Sequence, residues 1–227
     1  MTASESLRLA VFDCDGTLVD SQHSIIASMH AAFDVHSYPK PDADTVRMVV
    51  GLPLHVAMGR LLPETGPDVH EQLADSYIDA FHGLRKNGEV ADPLYPGVME
   101  IISELEADGW VLGIATGKGR RGLLATLETH GLVDRFQTLQ TADSAPGKPA
   151  PGMLLNAMRD TGVDPAGTVM IGDTTFDMEM AVAAGTMAVG VSWGYHPQEH
   201  LHKAGAHVVI DDFAALRIEI QSLGGGT

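Results

Sequence analysis

The chain has 227 residues, of which 44% are hydrophobic and 19% are charged. This composition supports a packed core and excludes whole-chain disorder and a coiled coil. Lys and Arg number 14 against 30 for Asp and Glu, so the formal net charge is −16. That charge argues against nucleic acids and anionic membranes as partners, because both are bound through cationic side chains.

Two further features indicate the compartment. Cys14 is the only cysteine, so no internal disulfide can form, which suits a reducing environment. The sequence contains no run of about 18 apolar residues, so we expect no membrane-spanning helix. Together these features predict a cytoplasmic protein.

Short apolar segments that end in polar or glycine residues predict the strands of a buried sheet. The first is residues 7–12, which runs into Asp-Cys-Asp-Gly-Thr. A stretch over residues 18–91 follows, with amphipathic helical patterns at 25–33, 45–50, 54–62 and 69–85 and no convincing strand. Beyond it, strands are predicted at 110–115, 168–171, 188–191 and 207–210, and helices at 99–107, 120–129, 153–160, 176–184 and 198–203.

This alternation of strands and helices predicts an α/β fold, a doubly wound parallel sheet covered on both faces. We expect residues 1–17 and 92–227 to form this catalytic core and residues 18–91 to form an inserted all-helical cap. Ligands of such sheets bind beyond the carboxyl ends of the strands. Polar residues at the strand ends are therefore the first candidates for chemistry.

Asp13 and Asp15 stand two residues apart where the first predicted strand ends. In extended backbone the side chains of residues i and i+2 point to the same side, about 6–7 Å apart. Two carboxylates that close resist joint ionisation unless a cation lies between them or one keeps a proton. The pair therefore suits either a divalent metal site or a nucleophile beside a general acid.

Asp173 and Asp177 form a second acidic pair. Asp173 follows the strand predicted at 168–171, and Asp177 lies one helical turn further on, so both carboxylates can face one point. With Asp13 and Asp15 they make four carboxylates at strand ends. Hard oxygen ligands of this kind are what Mg²⁺ prefers.

Two other residues are candidates for binding a phosphate group. Thr116 follows the strand predicted at 110–115, where its hydroxyl and the backbone N–H groups at the start of a helix would bind an anion. Lys148 lies in the loop Pro-Gly-Lys-Pro-Ala-Pro, from which its ammonium can reach a phosphoryl group as a point charge. Taken alone, each is also consistent with a structural role, as a helix cap or an exposed lysine.

Residues 117–122 match G-x-G-x-x-G, the fingerprint of a nucleotide-binding oxidoreductase. That fingerprint also requires an acidic residue at the end of the next strand, and no carboxylate ends the apolar run at 136–140. Lys118 and Arg120 within the segment can still attract an anion.

Three histidines, His196, His200 and His202, cluster near residue 200. A zinc site is conceivable there, but no cysteine or second metal motif lies nearby. We interpret the cluster as the solvated start of a helix.

Four segments in this order resemble the motifs of the haloacid dehalogenase superfamily: D-C-D-G-T, I-A-T-G-K, G-K-P-A-P and I-G-D-T-T-F-D. The resemblance covers nearly the whole chain and includes the helical insert between the first two motifs. Further matches, D-C-D-G-T-L-V-D-S, V-G-L-P and Y-P-G-V, are similar to the phosphoglycolate phosphatase-like branch.

The resemblance implies roles for the carboxylates. Asp13 would attack phosphorus and form an aspartyl-phosphate, and Asp15 would protonate the leaving alcohol and then activate water. Mg²⁺ would be bound by the Asp13 carboxylate, the main-chain carbonyl of Asp15 and Asp173. Asp177 would support the metal site or orient Lys148.

The resemblance also implies how the phosphoryl group is held. Thr116 and the Gly117 amide would bind its oxygens, and Lys148 would neutralise their charge. Thr17 would orient the loop at this phosphate site.

The implied function is Mg²⁺-dependent hydrolysis of a small phosphate monoester, phosphoglycolate-like, so the partner is a small phosphorylated metabolite. Asp15 favours phosphoryl transfer over dehalogenation, because dehalogenases of this fold lack that second aspartate. A sugar phosphomutase and an inorganic pyrophosphatase are alternatives with the same fold. Candidates for substrate contact in the cap are Asp20, Ser21, His23, Arg47 and residues 51–53.

Overall fold

The structure, a computed structural model, describes residues 7–224, so the first six and last three residues of the predicted core lie outside the described residues. The described part contains a six-stranded sheet with the order β3-β2-β1-β4-β5-β6, in which every pair of neighbours is parallel. The strands are β1 (Arg8–Phe12), β2 (Trp110–Ala115), β3 (Thr138–Gln140), β4 (Thr168–Gly172), β5 (Met187–Val191) and β6 (Val208–Ile210).

Helices cover both faces of this sheet. They are α5 (Val98–Ala107), α6 (Arg120–Thr129), α7 (Gly152–Thr161), α8 (Thr175–Ala184), α9 (Gln198–Lys203) and α10 (Phe213–Gly224). Alternate residues of β1 pack on opposite sides: Ala10 and Phe12 join the cluster that includes α5, α6 and α10, and Leu9 and Val11 join that of α7, α8 and α9. The predicted doubly wound α/β fold is therefore confirmed.

The strand order reverses between β1 and β4. From β1 the chain continues outward through β2 and β3, and from β4 it continues outward on the other side through β5 and β6. Ligands of open parallel sheets bind at such a switch point, beyond the carboxyl ends of the strands. Asp13 follows β1 and Asp173 follows β4, so the fold places the two acidic pairs at this point.

The segment between β1 and α5 contains four helices and no strand among its described residues: α1 (Gln22–Val35), α2 (Ala43–Arg47), α3 (Leu54–Leu61) and α4 (Pro67–Lys86). They bury an apolar core of their own, to which Met29, Phe33, Met58 and Leu73 contribute. None of the helices within residues 7–224 is long and apolar enough to cross a membrane.

The two connections between these helices and the sheet run side by side. The Asp20 N–H donates to the Pro93 carbonyl (2.8 Å) and the Tyr95 N–H donates to the Leu18 carbonyl (3.0 Å). The entry and exit of the helical segment are therefore joined by hydrogen bonds next to the β1 loop, and this holds α1–α4 over the strand ends.

Candidate active site

Asp13 is the first residue after β1 and is 2% exposed. Its N–H donates to the Ile171 carbonyl of β4 (2.9 Å), and its Oδ1 accepts from the Cys14 N–H (2.6 Å). Burial raises the pKa of Asp13 to about 7, although the ammonium of Lys148 opposes that shift. A backbone N–H thus holds one oxygen of this buried carboxylate at the switch point, and its other oxygen is available to other partners.

Lys148 provides the partner of that second oxygen. Its Nζ lies 2.8 Å from Asp13 Oδ2 and 2.6 Å from Asp177 Oδ1, and its side chain is fully buried. Burial lowers the pKa of the ammonium, but Asp13 and Asp177 outweigh this, so the pKa lies above its usual range. A buried lysine in this setting remains charged and joins β1 to the start of α8.

Asp177 is positioned by a capping box at the start of α8. Its Oδ2 accepts from the Thr174 N–H (3.0 Å) and from the Thr174 hydroxyl (2.7 Å), while the Asp177 N–H points back to that hydroxyl. The box satisfies two donors at the helix start and holds the carboxylate in one orientation. Its other oxygen therefore faces Lys148.

Asp173 is fully buried between three loops. Its Oδ1 accepts from the Thr17 hydroxyl (2.9 Å) and its Oδ2 accepts from the Tyr195 N–H (2.9 Å). Burial and the neighbouring Asp13 and Asp177 raise its pKa well above the usual range. Thr17, predicted at the phosphate site, lies here as a donor to Asp173.

The carboxylates of Asp13, Asp173 and Asp177 each have an oxygen within 4.8 Å of one another. The Lys148 ammonium contacts only two of these three buried carboxylates, Asp13 and Asp177. Burial, and then repulsion from the neighbouring carboxylates, raises the pKa values of Asp13 and Asp173. A divalent cation would neutralise this cluster, and an all-oxygen donor set suits Mg²⁺. The side chain of Asp15 is not part of this group, whereas that of Asp177 is.

Asp15 faces away from the group and toward the helical segment. Its Oδ1 accepts from the Ser21 hydroxyl (2.6 Å) and lies 3.0 Å from Lys118 Nζ. Gly16, with a φ of 86°, makes the turn directly after Asp15. One carboxylate therefore lies beside Lys148 and the other beside Lys118.

Because β2 and β4 lie on opposite sides of β1, the residues after β2 border the site on the side opposite Asp173. Thr116 is buried, and its hydroxyl accepts from the Lys118 N–H (3.2 Å). A Cβ on Gly117 would lie 3.0 Å from the carbonyl oxygen of Gly51, so the loop before α3 lies directly against this turn. The structure thus brings the β2 loop together with residues 51–53, which the sequence suggested as substrate contacts.

The glycine-rich segment 117–122 starts a helix, as its pattern predicts. Gly119 is the N-cap of α6, and the Arg120 N–H donates to Asp143 Oδ2 (2.7 Å). Asp143 therefore caps α6 from the loop after β3, and β3 itself ends on Gln140. The strand that should carry the acidic residue of a dinucleotide site carries none.

His23 and Arg47 lie apart from the carboxylates. Arg47 contacts the side chains of Gln22 and Asp44. His23 is exposed on α1, and both residues line a cavity of about 360 Å³ together with Asp20. The structure therefore pairs Arg47 within the helical segment.

The interpretation of the histidine cluster as a solvated helix start is wrong for His196. It is 3% exposed, its Nδ1 accepts from the Thr175 N–H (3.0 Å), and its ring contacts Phe176. The turn after β5 brings it under the start of α8, which the spacing of the three histidines does not indicate. His200 and His202 are exposed on α9, as expected.

Tyr195 is a site residue that the sequence analysis missed. Its N–H binds Asp173, and its hydroxyl lies 3.2 Å from the Ser21 hydroxyl next to Asp15. The only signal was its place after a predicted strand, in Ser-Trp-Gly-Tyr.

The sequence profile of the haloacid dehalogenase-like hydrolases matches residues 10–191. The chain belongs to this family. It is 37% identical to "Probable phosphatase IndB" of Dickeya dadantii, over 91% of this chain and 90% of that protein. It is 32% identical to the N-acetylmuramic acid 6-phosphate phosphatase of Pseudomonas aeruginosa (90% and 91%) and 30% identical to the phosphoglycolate phosphatase of Vibrio vulnificus (95% and 96%).

A solved structure agrees with this assignment. The crystal structure of a hydrolase from Pseudomonas syringae superimposes with a TM-score of 0.83 at 25% identity and covers 95% of this chain and 98% of its own. The predicted family, its phosphoglycolate phosphatase-like branch and the predicted enzyme class, a phosphatase, are confirmed. Membership in a hydrolase family decides against the oxidoreductase alternative.

Proposed function

We propose that the protein is a Mg²⁺-dependent phosphatase that hydrolyses a small phosphate monoester through an aspartyl-phosphate on Asp13. The observation that carries the proposal is the position of the Asp13 carboxylate, 2.8 Å from the buried Lys148 ammonium and beside Asp173 and Asp177 at the switch point. A carboxylate is a weak nucleophile toward a phosphate anion until positive charge neutralises that anion.

The residues that would hold the metal are the Asp13 carboxylate, the Asp15 carbonyl and Asp173, with Asp177 in support. When bound, Mg²⁺ supplies charge neutralisation and a template for the phosphoryl oxygens. The unbalanced buried charge of Asp13, Asp173 and Asp177 supports this assignment, because one lysine leaves it incompletely neutralised.

Two carboxylates would divide the chemistry. Asp13 attacks phosphorus, the bond from phosphorus to the leaving oxygen breaks, and Asp15 gives that oxygen its proton. Water then attacks phosphorus, Asp15 takes a proton from it, and the bond to Asp13 breaks to release inorganic phosphate. One acid–base residue thus serves both steps.

Three groups would hold the phosphoryl oxygens during these steps: the Thr116 hydroxyl, the Gly117 N–H and the Lys148 ammonium. Lys148 already contacts the proposed nucleophile, so it can neutralise the phosphate where Asp13 attacks. The Thr17 hydroxyl fixes Asp173 and so orients the loop.

Residues 18–91 would act as a cap that closes over the phosphate and selects the leaving group, with residues 1–17 and 92–227 as the core. The contact of Gly51 with the Gly117 turn supports this proposal, because Gly51 belongs to the helical segment and Gly117 to the turn after β2. Relatives named for phosphoglycolate and for N-acetylmuramic acid 6-phosphate favour a small metabolite with an alkyl phosphate. The single cysteine, which suits a reducing compartment, favours the cytoplasm as the place where the protein acts.

The test is release of inorganic phosphate from a panel of esters, with and without Mg²⁺ after treatment with a chelator. The panel contains phosphoglycolate, N-acetylmuramic acid 6-phosphate, hexose phosphates, nucleotides and pyrophosphate. We expect metal-dependent release from an alkyl phosphate and a loss of about 10³-fold or more in Asp13→Asn. Asp134→Asn, the same change at an exposed residue, is the control and should match the wild type.

Turnover by Asp13→Asn at the wild-type rate would contradict the nucleophile assignment. Preference for pyrophosphate would favour the pyrophosphatase alternative. Interconversion of sugar phosphates with little phosphate release, dependent on a bisphosphate activator, would favour the mutase.

A further inference from the structure

The carboxylate of Asp15 is held through one of its two oxygens. Oδ1 accepts from the Ser21 hydroxyl (2.6 Å) and lies 3.0 Å from Lys118 Nζ. Oδ2 takes part in no hydrogen bond or ion pair among residues 7–224. A proton donor with one oxygen fixed and one oxygen free has a defined direction for proton transfer.

Both groups on Oδ1 are themselves held in place. Ser21 is fully buried, and its hydroxyl also lies 3.2 Å from the Tyr195 hydroxyl. The Lys118 ammonium lies 4.9 Å from the centre of the Phe81 ring, which belongs to α4. This cation–π contact covers the ammonium from the side of the helical segment, and the Lys118 side chain is only 10% exposed.

The two lysines of the site serve different carboxylates. Lys148 contacts Asp13 and Asp177, and Lys118 contacts Asp15. A second cation is thus assigned to Asp15 and does not contact Asp13.

We propose that Lys118 is a positioning residue: with Ser21 it holds Asp15 through Oδ1 so that Oδ2 faces the leaving group, and Phe81 covers the ammonium from the cap. The proposal rests on the proposed function, since Asp15 must be the general acid. When the leaving oxygen takes the proton from Asp15 and its bond to phosphorus breaks, the carboxylate left behind is anionic. Lys118 stabilises that anion at the moment it forms.

The test compares two leaving groups. The p-nitrophenolate of p-nitrophenyl phosphate leaves without a proton, whereas an alkoxide needs one. We expect Lys118→Met to lower kcat/KM for the best alkyl phosphate of the panel by about 10²-fold and for p-nitrophenyl phosphate by less than about tenfold. The value of kcat/KM covers only the steps up to loss of the leaving group, so slow hydrolysis of the aspartyl-phosphate does not hide the difference.

Three further variants identify the cause. Asp15→Asn should show the same selectivity, and the double variant Lys118→Met/Asp15→Asn should show no greater selectivity than Asp15→Asn alone. Lys118→Arg keeps a cation and should recover most of the alkyl phosphate activity. Lys86→Met removes an exposed lysine from α4 and should leave both activities unchanged.

Equal losses for both substrates in a folded Lys118→Met protein would overturn the proposal, because they would indicate phosphate binding or general destabilisation. If Lys118→Met fails to fold, Lys118→Arg decides through the ratio of its kcat/KM for the alkyl phosphate to its kcat/KM for p-nitrophenyl phosphate. A ratio as low as that of Asp15→Asn overturns the proposal. Failure of the proposed function is distinguishable, since the wild type would then release no phosphate or Asp13→Asn would remain active.

Discussion

Two glycines determine how closely the backbone approaches Asp173. A Cβ on Gly194 would lie 2.1 Å from the Cβ of Asp173, and a Cβ on Gly16 would lie 2.3 Å from its Oδ2. Gly16 also has a φ of 86°, a backbone conformation that L side chains rarely adopt. The Asp173 side chain therefore fits only because residues 16 and 194 are both glycines, which have no side chain.

Gly194→Ala tests this close approach. The added methyl group meets the Cβ of Asp173, which cannot rotate away, so the loop must shift. We expect the free energy of unfolding to fall by about 1–3 kcal/mol, as in other overpacked sites, and phosphate release to fall with it. Urea unfolding and the phosphate assay measure the two effects. Unchanged values for both would contradict the packing of Gly194 on Asp173.

Asp13 and Asp173 could be predicted as site residues because each directly follows an apolar segment. They come together because their strands, β1 and β4, are neighbours at the switch point. Tyr195 could not be found in the same way, because its role depends on the order β1-β4-β5 and its loop carries no charged group. Asp177 was assigned a supporting role, but the capping box places its carboxylate in the same group as the other two.

At the scale of elements, some helices begin at a different residue from the one predicted, because the residues at the helix start determine where the helix begins. The pattern predicted a helix at 45–50, but α2 begins at Ala43, because Asp42 accepts from the Thr45 N–H (2.8 Å). Helix α4 begins earlier than predicted, at Pro67, because proline is favoured as the first residue of a helix. Helix α10 was missed, although Phe213, Leu216 and Ile220 have helical spacing and are buried.

Helix α4 also offers a test of backbone conformation separate from packing. Gly83 lies inside the helix and Gly88 lies just beyond it with a φ of 73°, and a Cβ on either would meet nothing within 4 Å. We expect Gly83→Ala to raise the free energy of unfolding by about 0.5–1 kcal/mol and Gly88→Ala to lower it. Urea unfolding followed by circular dichroism compares the two, and effects of the same sign would contradict the assigned conformations.

At the scale of the whole molecule, the loop before α3 is where the helical segment meets the phosphate side of the core. Gly51 lies against Gly117, and Pro53 packs on Gly147 so closely that a Cβ on Gly147 would lie only 2.4 Å from the Pro53 Cγ. The sequence indicated a helical insert but not this contact, because the contact depends on how the paired connections at Asp20 and Pro93 orient the insert. Glycines on the core side let the loop come this close.

This contact makes the position of the loop before α3 testable with one methyl group. Gly147→Ala would place its Cβ 2.4 Å from the Cγ of Pro53, and this clash is relieved if the loop lifts away from the core. We expect kcat/KM for the best alkyl phosphate to fall by about tenfold or more, because the reacting groups are no longer held in register. The free energy of unfolding should change little, since the loop can move as a unit.

Pro53→Ala distinguishes this explanation from a disturbance of the neighbouring Lys148. It removes the ring atoms nearest Gly147 and leaves a Cβ at an ordinary contact distance of 3.6 Å. We therefore expect the double variant Gly147→Ala/Pro53→Ala to recover activity to the level of Pro53→Ala alone, a coupling that independent sites do not show. If the double variant is as inactive as Gly147→Ala, the methyl group acts through Lys148 and the closed position of this loop does not determine turnover.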